Sequence, residues 1–475
     1  MVNLLNVYTI SICVALGGTL FGFDIASISG VVGTYQYTKF YGNPLGTTQG
    51  GITGAMAAGS VVGALSSSFL ADKGVLSCKI FIQIGAVVWC IGATIQSASN
   101  GVAMLIAGRA IAGLCIGLTS TLVTIYQSEI SPRKLRGRIA GLQAMASTSG
   151  IMIQYFIEYG CSFINSEAAF RIPWAIQTIP AGRWDEVLRV LAFLRTANDN
   201  ANDPLVIAEY REIKDQIRSE LATNSNSFHE LFSQKIRKRL FLSMAMQMWS
   251  QLSGINVLLY YTVYVLHSAG IANVRLASSI TYIINFVMAV PFLLWIDRWG
   301  RRPSLLIGAL VMSFWHFLIG GLLMQYGEPN PVANEQETWI VVGHTAPRLP
   351  CLGAPITWLY PAEIAPVRVR VKTVALAGAT NWASNLALGF GAPPLMRSIR
   401  WRVFFLFGAF NIMAFIHVLL ALPETKQRTL EEMDEIFDHG EPLWKTFRAK
   451  GDTDRLDKLA KDIELCASVA SNPET

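Results

Sequence analysis

Charge is scarce in this sequence. Of 475 residues, 15% are Asp, Glu, Lys or Arg, while 52% are hydrophobic and mean hydropathy is +0.40. Soluble domains carry roughly 25% charged residues, so the balance excludes an ordinary water-soluble globular chain. No basic residue precedes Lys39, so there is no basic leader region. The first apolar run, about Leu4 to Val32, is also too long for the core of a cleaved signal peptide. It predicts a retained membrane span. The seven cysteines, from Cys13 to Cys466, are scattered with no CxxC pair, which argues against a disulfide scaffold and a zinc site. The six histidines, His229, His267, His316, His344, His417 and His439, form no evident constellation with a nucleophile or metal ligands. No enzyme, cofactor or metal is expected. The net charge of +6 sits in loops, so nucleic acid is a poor inference and the loop Lys and Arg read as topology signals.

What is present in quantity is long apolar runs. A spanning helix needs ~20 mostly apolar residues. Candidate spans cover roughly 4–32, 50–71, 79–98, 102–127, 138–160, 239–266, 276–296, 303–325, 374–395 and 403–423, with a weaker one near 340–361. An all-α membrane protein with eleven recognisable spans follows. Basic clusters fall in alternate loops: Lys73 and Lys79; Arg133, Lys134, Arg136 and Arg138; Arg298, Arg301 and Arg302; Arg368, Arg370 and Lys372. The positive-inside rule places these in the cytoplasm. Arg397, Arg400 and Arg402 fall on the expected outer side and break the rule. Residues 182–238 are polar, with apolar positions recurring at three and four, and predict amphipathic helices beside the membrane. The tail from Glu424 is polar.

The charge pattern exposes a gap. The span 138–160 starts inside and ends outside, while the span after Arg239 starts inside again. The chain must cross once between 161 and 238. The one apolar candidate, Phe170 to Gly182, reaches about 20 Å at 1.5 Å per residue, short of ~30 Å, and contains Pro173 and Pro180. A crossing helix is expected to be missing most of its length.

The chain also repeats itself. "EISPRKLR" at 129–136 returns as "EIAPVRVR" at 363–370, and "ADK" at 71–73 corresponds to "IDRWGRR" at 296–302. Two halves in the same orientation are a parallel repeat. One carboxylate, Asp24, lies inside the first apolar run, in "GGTLFGFDIASISG". An ionised Asp at mid-bilayer costs roughly 2.5–3.5 kcal/mol or more, so it seeks a partner or a cavity. Arg109 is the one basic residue deep in the span 102–127.

Eight pieces, in order, carry a resemblance: "GGTLFGFDIASISG", "GRAIAGLCIG", "EISPRKLRG", "QLSGINVLLYY", "IDRWGRR", "WLYPAEIAPVRVR", "TNWASN" and "PETKQRTLEE". From about Leu16 to Phe437 the chain resembles the sugar porter family of the major facilitator superfamily, especially fungal members. The resemblance implies two pseudo-symmetric six-helix bundles joined by a cytoplasmic helical domain. The expected boundaries are 1–181 for the first bundle with helix six truncated, 182–238 for the linker, 239–423 for the second bundle and 424–475 for a cytoplasmic tail. It also implies a monomer in the plasma membrane with both termini cytoplasmic, moving a hexose or pentose by alternating access and coupled to a proton. A sugar sensor without transport and a non-functional truncated paralogue are the alternatives. The departures are the loop "KGVLSCK" after Asp72, Gln143-Ala144 and Ser250-Gln251 in place of paired glutamines, and 340–357 as an imperfect tenth helix.

Residue by residue, the resemblance makes Asp24 and Arg109 the proton-coupling pair, since a carboxylate that loses its cation is easier to protonate. The alternative is a static pair that fixes helix packing. Gln251, Asn256, Asn285, Trp358, Asn381 and Trp382 match sugar contacts, because hydroxyls take planar amide groups and C–H faces take aromatic rings. Interhelical glue is the plainer role for any one Asn. Tyr260 and Tyr261 read as a lid or, more plainly, as packing. Glu129, Arg136, Asp297, Arg301, Arg302, Glu363 and Arg370 match salt bridges that latch a cytoplasmic gate, or else serve topology alone.

Overall fold

Apolar runs of this length can satisfy their backbone inside a bilayer only as helices or closed barrels. The computed structural model describes residues 4–31, 34–42, 44, 46–72, 78–130, 136–178, 228–261, 274–326, 354–366 and 369–426, with isolated positions 428, 433, 436 and 437. Among these there is no strand. The helices are α1 Leu4–Val31, α2 Tyr35–Phe40, α3 Thr47–Asp72, α4 Cys78–Ser97, α5 Val102–Ile130, α6 Arg136–Cys161, α7 Ala168–Ile176, α8 Gln234–Leu252, α9 Ile255–Tyr260, α10 Val274–Trp299, α11 Arg301–Tyr326, α12 Ala354–Ile364, α13 Arg370–Ile399 and α14 Arg402–Ala421. Every expected span meets a helix. The weak one is met only by α12, because 340–353 lie outside the described residues. Three stretches among the described residues, Val102–Ser128, Arg301–Met324 and Arg402–Ala421, are long and apolar enough to cross by composition alone. Others, such as α6, carry polar residues on inward faces.

Two departures from the simple run of spans shape the site. The span expected at 239–266 begins earlier, at Gln234, and breaks at Ser253–Gly254, where Gly254 adopts φ +82. A side chain there would be strained and would also meet the Phe407 ring. The second departure is the crossing after α6. The structure gives α7, nine residues, about 14 Å at 1.5 Å per residue and so about half a membrane. Arg171 of α7 donates to Ser99 O and Asn100 Oδ1 beyond the end of α4. The Trp89 indole of α4 donates to Gln177 O at 2.9 Å. The segment therefore lies along one half of α4 and reaches its middle. Residues 179–227, which hold most of the expected linker, lie outside the described residues, as does nearly all of the expected tail.

The first half, α1 to α7, packs α1 on α6 and α3 on α5, with α4 and α7 behind. The second half, α8 to α14, packs α11 on α14 and α8 on α13. The halves meet through α3 with α13 and α6 with α10. That pairing repeats the same helix roles in each half, as the parallel repeat requires. The end with Arg138, Arg298, Arg301 and Lys426 is the basic end. At the opposite, far end, α13 turns into α14 through Arg400, at φ 47, and Arg402 stacks on Trp401 with its guanidinium 5.3 Å from the ring centroid.

Candidate functional site

Between the halves lies a cavity of about 150 Å³, roughly ten times the ~10–15 Å³ that one water needs. Gly17, Gly18 and Phe21 of α1, Ser120 of α5 and Gln143 of α6 line one side. Gln251, Asn256, Asn285, Trp358, Asn381 and Trp382 line the other. All six residues expected to face a sugar thus converge on one space, from α8, α9, α10, α12 and α13.

The amides form one network. Asn381 Nδ2 donates to Gln247 Oε1 at 2.8 Å, and Gln251 Nε2 donates to Asn381 Oδ1 at 2.9 Å. Asn256 Nδ2 and Asn385 Nδ2 both donate to Gln251 Oε1, at 2.7 and 3.1 Å. Gln247 Nε2 in turn donates to Thr357 O, and Tyr260 OH to Asn385 Oδ1 at 3.3 Å. Gln251 is the hub. The α8 break places it and Asn256 on either side of Gly254, close enough to bond. An unsatisfied buried amide costs ~1–3 kcal/mol, so each of these side chains fixes the others' orientation. Gln247 and Asn385 are parts of this site that the sequence reading did not single out. Each lies one helical turn from a residue it did, Gln247 from Gln251 and Asn385 from Asn381.

Two indole rings line the same cavity. Trp358 and Trp382 have ring centroids 6.3 Å apart, and Phe21 meets Trp382 edge-on at 5.2 Å. The Trp382 indole donates to Ser120 Oγ at 3.2 Å, tying α13 to α5. A space lined by both amides and aromatic rings suits a ligand that is polar at its edge and apolar on its face. Tyr260 and Tyr261 are buried above it and donate to Asn385 and to Gly389 O.

Asp24 and Arg109 come together away from this cavity. Arg109 Nη2 lies 3.1 Å from Asp24 Oδ2, and both side chains are fully buried. Arg109 Nε donates to Ile52 O of α3 at 2.8 Å. Asp24 Oδ1 and Arg109 Nη1 have no hydrogen-bond partner, so the pair is held by a single bridge. Asp24 follows Phe21 and precedes Ile25, both of which line the cavity.

The basic end gathers the other expected charges. Asp297 accepts the backbone N–H groups of Gly137 and Arg138, at 3.0 and 3.1 Å, across the two halves. Its oxygens also lie 3.5 Å from Arg301 and 3.7 Å from Arg138. Arg301 Nη2 donates to Glu363 at 3.0 Å, and Thr425 Oγ1 donates to the other Glu363 oxygen. Arg302 Nη2 donates to Leu419 O at 2.6 Å. Arg370 is buried at the start of α13. The side chains of Glu129 and Arg136 lie outside the described residues. Glu424, which the sequence reading placed only in a tail, caps α11: its carboxylate accepts from the N–H groups of Arg301 and Arg302, at 2.9 and 3.1 Å. Losing such a cap costs ~0.5–2 kcal/mol. Glu424→Ala is expected to lower the melting temperature of the purified protein by a few degrees; unchanged melting would remove the cap's importance.

The family described as "Sugar (and other) transporter" matches residues 10–437. The chain belongs to the sugar transporter family. It is 42% identical to the "MFS glucose transporter mfs1" of Aspergillus flavus, over 98% of this chain and 95% of that one. It is 37% identical to the "High-affinity glucose transporter" of Kluyveromyces lactis, over 93% and 87%. Among solved structures, the proton:xylose symporter XylE bound to 6-bromo-6-deoxy-D-glucose matches with a TM-score of 0.74 at 22% identity, covering 92% of this chain and 100% of that one. That likeness shows the major facilitator fold, as expected from the repeat, in a multi-pass membrane protein. The alignment to the Aspergillus relative spans 508 residues, more than the 475 here. That relative therefore carries residues that have no counterpart in this chain.

Proposed function

We propose that this chain carries a monosaccharide, a hexose or pentose, across the membrane by alternating access. The observation that carries this reading is the amide network centred on Gln251 together with Trp358 and Trp382, in one cavity between two repeated halves. Hydroxyls bridge amide donors and acceptors in both directions, and the rings cover the sugar's C–H face. The relatives named as glucose transporters support a hexose. Alternating access needs the halves to separate at one end and then the other. Contacts between them exist at both ends: Asp297 with Gly137 and Arg138 at the basic end, and Ser29 with Tyr282 Oη at 2.6 Å at the far end.

The positive-inside rule supports the basic end, and with it the termini, as cytoplasmic; a monomer in the plasma membrane is part of the same proposal. Proton coupling through Asp24 and Arg109 is part of the proposal. Its support is a carboxylate buried at the bundle interior on one bridge, so that a change in α1 or α5 can expose it to protonation.

The test is uptake of radiolabelled sugar by the full chain in a cell lacking its own transporters, with surface expression confirmed and hexoses, pentoses and disaccharides compared. Saturable uptake supports transport and names the substrate. No uptake despite surface expression overturns it in favour of a sensor or a non-functional product. Gln251→Ala removes the hub and leaves Asn256, Asn381 and Asn385 with a broken network. About 1–3 kcal/mol of binding should be lost, raising KM roughly 5–150-fold at unchanged surface expression. An unchanged KM would show that the network does not hold the sugar.

A further inference from the structure

A second carboxylate lies within the helices. Glu158 of α6 is 3% exposed. One oxygen accepts from Gln154 Nε2 at 3.1 Å, and the same nitrogen reaches Pro173 O of α7. The other oxygen rests against Gly30 of α1, where a methyl group on Gly30 would overlap it, and forms no well-aligned hydrogen bond. No cation pairs with Glu158 among the described residues.

Among the described residues, the charged groups near Glu158 on the elements packed against α6 are engaged elsewhere, and Arg298 of α10 lies beside Asp297 at the basic end. On α1 and α5, Asp24 and Arg109 hold each other. On α7, Arg171 pairs with Glu167 at 3.0 Å. On α10, Arg275 Nη1 donates to Ser162 Oγ at 3.1 Å, one turn beyond Glu158, and Asp297 lies at the other end of that helix. On α12, Glu363 is held by Arg301. On α6 itself the remaining titratable neighbours of Glu158 are Tyr155, Tyr159 and Cys161.

Glu158 also stands directly behind the contacts that join the halves at the far end. Ser29, next to Gly30, meets Tyr282 of α10. Tyr155, one turn before Glu158, stacks on Tyr282 at 4.5 Å and donates to Arg275 O at 2.8 Å. These contacts press α1 and α10 over the carboxylate. Closing them around an ionised Glu158 would bury a charge without a cation, which is costly, whereas the neutral acid fits between Gln154 and Gly30.

We propose that Glu158 is a proton-binding site of the far-end gate: it takes up a proton from water as the gate closes and returns it when the gate opens. This site is separate from Asp24 and Arg109, and it rests on the alternating-access reading above. Its chemistry is carboxylate plus proton to carboxylic acid, with no other reactant.

The test reads the gate without requiring sugar. In the full chain in cells, a Leu259→Cys reporter at the far side of the cavity is labelled by a membrane-impermeant maleimide between pH 5.5 and 7.5. The signal is taken as the difference from the same chain without the reporter. Glu158→Gln keeps the size of the neutral acid but cannot ionise. At each pH, the labelling rate with Glu158 is divided by that with Glu158→Gln, which cancels the thiol's own pH dependence. The ratio is expected to rise at least about tenfold across the range, since one linked proton can shift a closed–open equilibrium by up to tenfold per pH unit. A flat ratio overturns the proposal. Should Glu158→Gln fail to reach the surface, Glu158→Leu replaces it as the neutral reference and Glu158→Asp must keep the pH response; a response lost in Glu158→Asp at normal surface expression overturns it too. Sugar uptake by the unsubstituted chain is measured in parallel. Failed uptake with a rising ratio counts against transport alone, and normal uptake with a flat ratio counts against Glu158 alone.

Discussion

Asp24→Asn is expected to abolish uphill accumulation of sugar while leaving counterflow exchange intact. The substitution removes the one group of the Asp24–Arg109 pair that can take up a proton and keeps its shape. A transporter coupled through that group can, once it is removed, still bind sugar and swap it across the membrane, but lacks the proton step that drives accumulation. The structure places the cost as well. Arg109 is fully buried, with Nε held by Ile52 O and Nη2 by Asp24. Removing one partner of a buried ion pair typically costs ~3–5 kcal/mol, because the other charge stays behind. Surface expression should therefore fall, and accumulation must be normalised to it. Asn can still accept one hydrogen bond from Nη2, so Asp24→Asn should be milder in expression than Asp24→Ala. Accumulation that survives normalisation in Asp24→Asn would reduce the pair to a packing element. The double change Asp24→Asn with Arg109→Gln removes the stranded charge and should recover expression, though not accumulation.

The sequence showed the frame of this molecule more clearly than its seams. Apolar length marks a membrane helix because a bilayer offers no partner for a free backbone, and so each expected span meets a helix. Charge parity marked 161–238 as the stretch where a further crossing is needed; α7 begins there, and 179–227 lie outside the described residues. Hydropathy, by contrast, is blind to the Ser253–Gly254 break, which changes backbone angle and not apolarity; the Ser-Gly pair was the available signal. The same blindness hid α2, too short to register as a span. At the site, Asn381 and Gln251 were legible, but Gln247 and Asn385 were not, because a hydrogen-bond network is a property of several helices at once. Glu158 is the instructive omission. It is the only acid in α6, and the argument that singled out Asp24 applies to it unchanged.

Asp297→Ala is expected to open the basic end. Asp297 ends α10 in the second half and accepts the N–H groups of Gly137 and Arg138, in the first turn of α6 in the first half. Those N–H groups have no intrahelical partner at a helix start, so the carboxylate serves as a cap supplied across the gap. Hydrogen bonds to a charged group are worth ~1.5–3 kcal/mol each. Losing two shifts the equilibrium between closed and open by about 3–6 kcal/mol, or on the order of a hundredfold or more. The neighbouring pair survives, because Arg301 keeps Glu363 at 3.0 Å and Glu363 keeps Thr425. The second half should therefore stay folded while its grip on the first is released. A cysteine at Ala144, on the cavity wall in α6, would report this in inside-out vesicles. Its labelling should accelerate about a hundredfold in Asp297→Ala and less in Asp297→Asn, whose amide oxygen can still accept. Uptake from outside should fall as the population leaves the outward-accessible state. Equal labelling in all three proteins would mean that the bonds from Asp297 follow gate closure and do not hold it. The first half lacks the Gly-Arg-Arg run that follows Asp297. Arg301 therefore has no counterpart in the five residues directly after Asp72, and the side chains of Glu129 and Arg136 lie outside the described residues.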